Sequence, residues 1–125
     1  MATISSMTTR ETIQQYYDRL RVRGDWQALF ADDVEFASLT SPVKRVAVKA
    51  AFLESTRRFY GSIGSLDVRQ LIVEGDRAAA VVRYELRPPD GGPAFESHVA
   101  EVFSVRRGQI HEFTICFDTA PYPKR

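Results

Sequence analysis

Two stretches near the end of the chain, residues 95–105 and 109–118, constrain this sequence most strongly. Apolar and polar residues alternate in both, and side chains of one parity share one face of a strand. The two stretches therefore predict an antiparallel hairpin. In the first stretch, the face that carries Val99 and Phe103 also carries Glu101. A carboxyl group among apolar neighbours makes Glu101 the first candidate for chemistry.

The residues before this hairpin predict three helices and three further strands. Thr8 and Glu11 form a capping box at the start of the first helix, and Gly24 ends that helix. Asp25 can cap a short second helix. The later predicted elements are a helix Trp26–Phe30, a strand Val34–Leu39, a helix Val46–Tyr60 ended by Gly61 and Gly64, and strands Leu66–Glu74, Ala78–Arg87, Phe95–Val105 and Gln109–Asp118.

This order of elements predicts an α+β fold, α-α-β-α-β-β-β-β, within a single domain over residues 1–125. The connections between the last four strands are too short for parallel crossovers, so these strands form antiparallel hairpins. We expect one curved antiparallel sheet wrapped around the N-terminal helices, with a conical pocket that brings Tyr17 toward Glu101. The ordered core is expected at about residues 8–118, with tails at residues 1–7 and 119–125.

The charge balance and the cysteine count exclude several classes of function. Seventeen basic and 16 acidic residues are spread along the chain, which disfavours nucleic acid or an anionic membrane as a partner. The single cysteine, Cys116, excludes an internal disulfide and a multi-cysteine zinc site, and two isolated histidines are weak evidence for a metal. Residues 1–7 resemble no export signal, and no apolar run reaches the ~18 residues of a membrane span. These features predict a soluble cytoplasmic protein.

Two segments resemble a known family. The run Tyr17–Phe36 is similar to the opening signature of the nuclear transport factor 2-like superfamily, and Gly108–Asp118 resembles the closing strand of its SnoaL-like branch, where a Gly-Lys-Ile turn and a terminal Phe-Asp are typical. The resemblance covers roughly residues 9–118 and implies a cystatin-like fold with a pocket. It leaves function open, because steroid isomerases, polyketide cyclases, dehydratases, epoxide hydrolases and non-catalytic binding modules share that fold.

The similarity to ketosteroid isomerase, a member of this superfamily, implies roles for particular residues. The two donors to the developing oxyanion correspond to Tyr17 and Glu101. The general base, five residues after Asp33, corresponds to Ser38, and a serine cannot replace that carboxylate unaided. The acid/base aspartate of SnoaL-like cyclases is matched best by Asp118, although strict alternation turns its side chain away from the pocket unless the strand bulges or ends there.

These residues suggest cofactor-free isomerisation, cyclisation or dehydration of a small apolar carbonyl or ring compound. Burial raises the pKa of a carboxyl group such as Glu101, which can then donate a proton or hydrogen bond near pH 7, with Tyr17 as a second donor. No cofactor and no metal are expected. A non-catalytic ligand-binding or protein-interaction module remains the alternative, and the missing base at Ser38 favours it.

The pocket wall is expected to come from the inward strand residues and the helices. His111 lies diagonal to Glu101 if Val105 pairs with Gln109, and is otherwise solvated near the turn. Plainer roles are open for the others: Tyr17 as a packed tyrosine, Glu101 as a partner of Arg83, Asp118 as a strand end. The predicted ligand-binding residues are Trp26, Phe36, Ser38, Phe52, Phe59, Phe95, Val99, Phe103, His111, Phe113, Ile115 and Phe117.

The opposite face of the same strands carries small and mildly apolar side chains. Helices are not expected to cover this outer face, which suits another sheet. A homodimer packed sheet to sheet is therefore our hypothesis. The residues of this predicted outer face are Ala100, Val102, Ser104, Thr114 and Cys116.

Overall fold

The structure is a computed structural model that describes residues 7–40 and 43–122. The parts of the predicted tails at residues 1–6 and 123–125 lie outside the described residues. The elements are α1 (Thr9–Arg21), a 3₁₀ turn (Gln27–Leu29), β1 (Phe30–Ser38), β2 (Lys44–Ala47), α2 (Lys49–Ser62), β3 (Ile63–Glu74), β4 (Arg77–Leu86), β5 (Phe95–Arg106) and β6 (Gln109–Phe117).

The strands form one curved sheet of six strands in the order β2-β1-β6-β5-β4-β3. The predicted α+β class is confirmed. The meander of β3 to β6 is antiparallel, as its short connections require. Strand β1 joins this meander in parallel orientation beside β6, and β2 is an additional edge strand antiparallel to β1.

Helix α1 begins at the predicted capping box. The backbone amide of Glu11 donates to the Thr8 hydroxyl at 3.1 Å, and the backbone amide of Thr8 donates to Glu11 Oε1 at 2.9 Å. One stripe of the helix, including Tyr16 and Tyr17, is buried against the sheet. The cap therefore fixes where the helix starts, and the apolar stripe fixes which face carries the two tyrosines.

The boundaries predicted for the helix from Val46 are wrong. Residues 44–47 pair with β1, and α2 begins only at Lys49. Val48, the residue before it, has φ 66° and ψ 147°, a conformation that a β-branched residue rarely adopts. Gly61 lies inside α2, and Gly64 lies inside β3, because the helix leads directly into that strand at Ile63.

The hairpin of β5 and β6 contains an irregularity that changes its register. Ser104 pairs with Glu112 and Val105 pairs with Ile110, so His111 is an extra, bulged residue. Val105 does not pair with Gln109, so the condition under which His111 would lie diagonal to Glu101 is not met. The bulge lets Ile110, which is fully buried, face the core and displaces His111 from it.

The core lies between the helices and the inner face of the sheet and is rich in aromatic rings. Phe103 and Phe113 stack across the hairpin with centroids 4.9 Å apart, and Trp26 stacks on Tyr60 at 3.9 Å. The hydroxyl groups of Tyr16 and Tyr60 are hydrogen bonded at 2.6 Å. This aromatic layer connects α1, α2 and the sheet and forms the floor under the cavities described next.

Candidate functional site

A mostly apolar, partly open cavity of about 290 Å³ lies between α2 and the inner faces of β1, β5 and β6. We call it the inner cavity. Five aromatic rings of the sheet and of α2 line it, and Tyr122 of the C-terminal segment adds a sixth. It is lined by Phe36, Ser38, Thr40, Lys44, Ser55, Thr56, Phe59, Tyr60, Val99, Phe113, Ile115, Phe117 and Tyr122.

A second, more polar cavity of about 500 Å³ adjoins the first, and we call it the outer cavity. Four residues line both cavities and so form the partition between them: Lys44, Ser55, Phe59 and Tyr122. The outer cavity also contacts Arg58 of α2, Phe95 of β5 and the loop residue Asp90.

Tyr122 closes the inner cavity from the C-terminal side. Its hydroxyl is hydrogen bonded to the buried Ser97 hydroxyl at 2.8 Å. Its ring packs against Phe95 and Phe117, with centroids 5.0 and 5.1 Å away. The segment after β6, whose predicted role was only that of a tail, therefore covers the cavity up to this residue.

Glu101 lies on the inner face of β5 and is 1% exposed. Tyr17 Oη donates to Glu101 Oε1 at 2.5 Å, and Tyr84 Oη donates to Oε2 at 2.8 Å. Burial raises the pKa of Glu101 to about 7, although both hydrogen bonds act in the opposite direction. Arg83, the alternative partner, instead pairs with Glu96 at 2.7 Å.

The two tyrosines remain hydrogen-bond donors over the whole physiological range. Burial, followed by the nearby Glu101 carboxylate, raises the pKa of both Tyr17 and Tyr84 well above the ordinary phenol value. The three groups form a donor–acceptor–donor unit that joins α1, β4 and β5. Such a unit holds the Glu101 carboxyl in one orientation.

Neither Glu101 nor Tyr17 lines the inner cavity. Val99, two residues before Glu101 on the same face, and Ile115, its partner on β6, do line it. The carboxyl group therefore lies one layer beyond the cavity wall. A ligand reaches it only if that wall opens.

Asp118 and His111 lie away from both cavities. Strand β6 ends at Phe117, and Asp118 is exposed, with Oδ1 accepting from the backbone amide of Ala120 at 2.9 Å. His111 Nδ1 lies 3.4 Å from Asp33 Oδ1 and 3.4 Å from Arg106 Nη2. In this conformation neither side chain can transfer a proton to a molecule in the cavity.

The predicted ligand-binding residues fall into four groups. Trp26, Phe52 and Phe103 are buried in the aromatic core, Phe95 lines the outer cavity, and His111 lies at the bulge. The remaining seven line the inner cavity: Phe36, Ser38, Phe59, Val99, Phe113, Ile115 and Phe117.

Sequence reasoning missed several residues of the site. The parity of β4 could have identified Tyr84, since alternation places it on the same face as Val82 and Ala80. No periodic signal marks Lys44, which lies in the short edge strand, or Tyr122, which follows the last strand. The position of Lys44 depends on its pairing with Ser38 in β1, and that of Tyr122 on contacts with Phe95 and Ser97 of β5.

The described part of the chain shows neither a metal-binding group of side chains nor a membrane-spanning helix. Within residues 7–40 and 43–122 no group of three or more His, Cys, Asp and Glu side chains is arranged to hold a metal ion. No helix in that part of the chain is long and apolar enough to cross a membrane.

Comparison with known proteins identifies the family. The sequence profile of the SnoaL-like domain matches residues 13–113. The chain belongs to the SnoaL-like domain family. This confirms the resemblance found in the sequence. No protein with a curated description matches this SnoaL-like chain in sequence.

Solved structures with the same fold include the three that follow, all below 25% identity, so they show the fold alone. A candidate ketosteroid isomerase from Kribbella flavida is 24% identical (TM-score 0.71, 96% of this chain and 86% of that chain). TerC, co-crystallised with polyporic acid, is 20% identical (0.73, 89% and 92%). A candidate SnoaL-like polyketide cyclase from Jannaschia sp. CCS1 is 17% identical (0.72, 99% and 99%).

Proposed function

We propose that this SnoaL-like protein binds a small, largely apolar ring or carbonyl compound in the inner cavity. The observation that carries the proposal is the concave, mostly apolar space of about 290 Å³ that is lined by aromatic rings, including that of Tyr122. Ligand sites are typically concave and apolar with a few placed polar groups, and this cavity is of that kind. The co-crystallisation of the neighbour TerC with polyporic acid supports the same proposal.

Binding can be tested by native mass spectrometry and thermal shift against a panel of apolar carbonyl, epoxide and hydroxylated ring compounds. Ile115→Trp should fill the inner cavity and abolish the hits seen with wild type. Ile72→Trp is the matched control, because Ile72 is 63% exposed on the other face of the sheet. No hit with wild type, or hits that survive Ile115→Trp, would contradict the proposal.

Cofactor-free isomerisation, cyclisation or dehydration is the second candidate function. The specific observation that favours it is the buried Glu101 carboxyl with a pKa of about 7, held between two tyrosine hydroxyls. Protonated Glu101 and Tyr17 could stabilise an enolate-like intermediate. The reaction requires Val99 and Ile115 to move so that the ligand carbonyl contacts these donors. It also requires Asp118 or another group to move the proton.

A measurement of turnover distinguishes the catalytic function from a non-catalytic ligand-binding module. Each bound compound is incubated with wild type, Glu101→Gln and Tyr17→Phe, and its conversion is followed by NMR. The catalytic proposal expects conversion by wild type, a loss of at least about 100-fold in Glu101→Gln, and retained binding. Binding without conversion by wild type would leave a ligand-binding module.

We also propose that the protein is a homodimer that packs through its outer sheet face, in a reducing cytoplasmic compartment. The exposed apolar side chains Ile72, Val81 and Val102 on that face support the dimer. The free thiol of the exposed Cys116 supports the reducing compartment.

A further inference from the structure

Most hydroxyl groups of the inner cavity already use their protons within the protein. The Ser55 and Thr56 hydroxyls donate to the Phe52 carbonyl oxygen at 3.0 and 2.8 Å. The Thr40 hydroxyl donates to the Phe117 carbonyl oxygen at 3.1 Å and accepts from the Phe117 amide at 2.8 Å. These three residues therefore have no proton left for a ligand.

The tyrosine hydroxyls of the wall are also paired. Tyr60 Oη is bonded to Tyr16 and Tyr122 Oη to Ser97. Ser38 differs, because it lines the inner cavity and its hydroxyl forms no side-chain hydrogen bond within residues 7–40 and 43–122. Among the described residues the buried side-chain atom without a hydrogen-bond partner is Arg83 Nε, so Ser38 Oγ is reached from the cavity and is not sealed off, and its hydroxyl can donate to a ligand.

Lys44 lies directly across from Ser38. The two residues are register partners in the β1–β2 ladder, and directly opposed side chains project to the same face of a sheet. Lys44 is the charged residue that lines the inner cavity, and within the described part of the chain it forms no ion pair. The charged residues that line the outer cavity are Lys44, Arg58 and Asp90, so its lining carries a net positive charge.

We propose that the ligand of the inner cavity is an apolar ring-bearing acid whose anionic group binds Ser38 Oγ and Lys44 Nζ. Its ring packs against Phe36, Phe113 and Ile115. A hydroxyl donor beside an ammonium group, with no acidic residue on the same wall, is complementary to a carboxylate or an enolate, and charge-assisted hydrogen bonds are the stronger kind. This assignment rests on the proposed binding function and specifies the ligand class.

The test compares two probes of the same shape. 2-Naphthoate carries the anion, and 2-acetylnaphthalene replaces the carboxylate with a neutral methyl ketone. Both are titrated calorimetrically into wild type, Lys44→Gln, Ser38→Ala and Arg45→Gln. Arg45 is the matched control, because it neighbours Lys44 in β2, is exposed, and pairs with Ala37 on the opposite face.

Wild type is expected to bind 2-naphthoate about tenfold or more tightly than the ketone, in line with one charge-assisted hydrogen bond. Lys44→Gln should abolish that preference without weakening the ketone. Ser38→Ala should reduce the preference for 2-naphthoate several-fold, and Arg45→Gln should preserve that preference. Higher salt should weaken only the acid.

Four results overturn the proposal. If wild type binds both probes equally, or binds only the ketone, the acid assignment fails while the proposed binding function stands. If Lys44→Gln keeps the preference for the acid, the anion binds elsewhere. If neither probe binds, the acid assignment fails, and the panel of ring and carbonyl compounds decides separately whether the proposed binding function stands. Ile115→Trp, which fills the cavity, must also abolish acid binding, since acid that still binds would sit on the surface.

Discussion

At the scale of single residues, Glu101 couples the stability of the fold to pH. Burial raises its pKa from 4.5 to about 7 in the folded protein, while the unfolded chain keeps the ordinary value. The folded state therefore holds its proton at pH values where the unfolded state releases it. The stabilisation is complete below the unfolded-state pKa and is lost as the pH rises through the folded-state pKa.

This difference predicts that the free energy of unfolding falls by about 3 kcal/mol between about pH 4.5 and pH 7.5 because of Glu101 alone. Glu101→Gln keeps the shape of the side chain but cannot titrate, so this part of the fall in the free energy of unfolding should be absent from it. Urea unfolding of wild type and Glu101→Gln between about pH 4.5 and pH 7.5 measures this difference in the free energy of unfolding. Glu112→Gln, an exposed change on the neighbouring strand, should follow wild type. Parallel pH profiles for wild type and Glu101→Gln would contradict the prediction.

The sequence could predict Glu101 and Tyr17 because simple periodicity determines their orientation. Glu101 keeps strict alternation along β5, and Tyr17 keeps the helical stripe of α1, so both reach the core and meet. His111 could not be placed in this way, because a single bulged residue changes every orientation beyond it. Lys44 depends on a four-residue edge strand too short to give a pattern.

At the scale of elements, the start of α2 shows how pairing overrides helical propensity. Residues 46–48 continue an acceptable helical pattern in the sequence, but Val46 pairs with Phe36 of β1. That ladder holds residues 44–47 extended, and the chain reaches the helix only through the positive φ of Val48. The ladder is a contact between two neighbouring strands, which the helical pattern of residues 46–48 alone does not contain.

The C-terminal segment after β6 acts as a roof, and its removal has a predictable effect. Tyr122→Ala should join the inner and outer cavities, of about 290 and 500 Å³, because Tyr122 lines both. The substitution removes the half-buried ring and its hydrogen bond to Ser97, and this should lower the free energy of unfolding by about 1–2 kcal/mol. The opened site should admit 8-anilinonaphthalene-1-sulfonate, seen as increased fluorescence at a temperature where circular dichroism reports a folded protein.

Tyr122→Phe is the control for that experiment. It removes the hydroxyl but keeps the ring that packs against Phe95 and Phe117, so the roof should stay closed and the fluorescence should stay at the wild-type value. Equal dye fluorescence in wild type and Tyr122→Ala would show that the tyrosine does not close the cavity.

At the scale of the whole molecule, the parallel pairing of β1 with β6 completes the site. It places Ser38 beside Ile115 and Phe36 beside Phe113, so residues about 77 positions apart share one wall. The order of helices and strands predicted the class of fold and the hairpins. It did not contain this pairing, because no short connection links the two strands.

The outer face of the sheet offers the last prediction. Register aligns Ile72, Ala79, Val102 and Thr114 in one row across four strands and Val81, Ala100 and Cys116 in the next. Ile72, Val81 and Val102 are 63%, 38% and 40% exposed, so apolar side chains form a continuous surface across the sheet. If two copies pack through this surface, Val102→Asp buries an unpaired carboxylate in each subunit.

That burial should cost about 3 kcal/mol or more, which raises the dimer dissociation constant at least about 100-fold. Sedimentation velocity over a range of micromolar concentrations should show a dimer for wild type and a monomer for Val102→Asp. Val22→Asp is the control, since Val22 is 77% exposed but lies at the end of α1, away from the sheet surface. A wild type that sediments only as a monomer would rule out the dimer. If Val102→Asp is as dimeric as Val22→Asp, the interface lies on another face of the molecule.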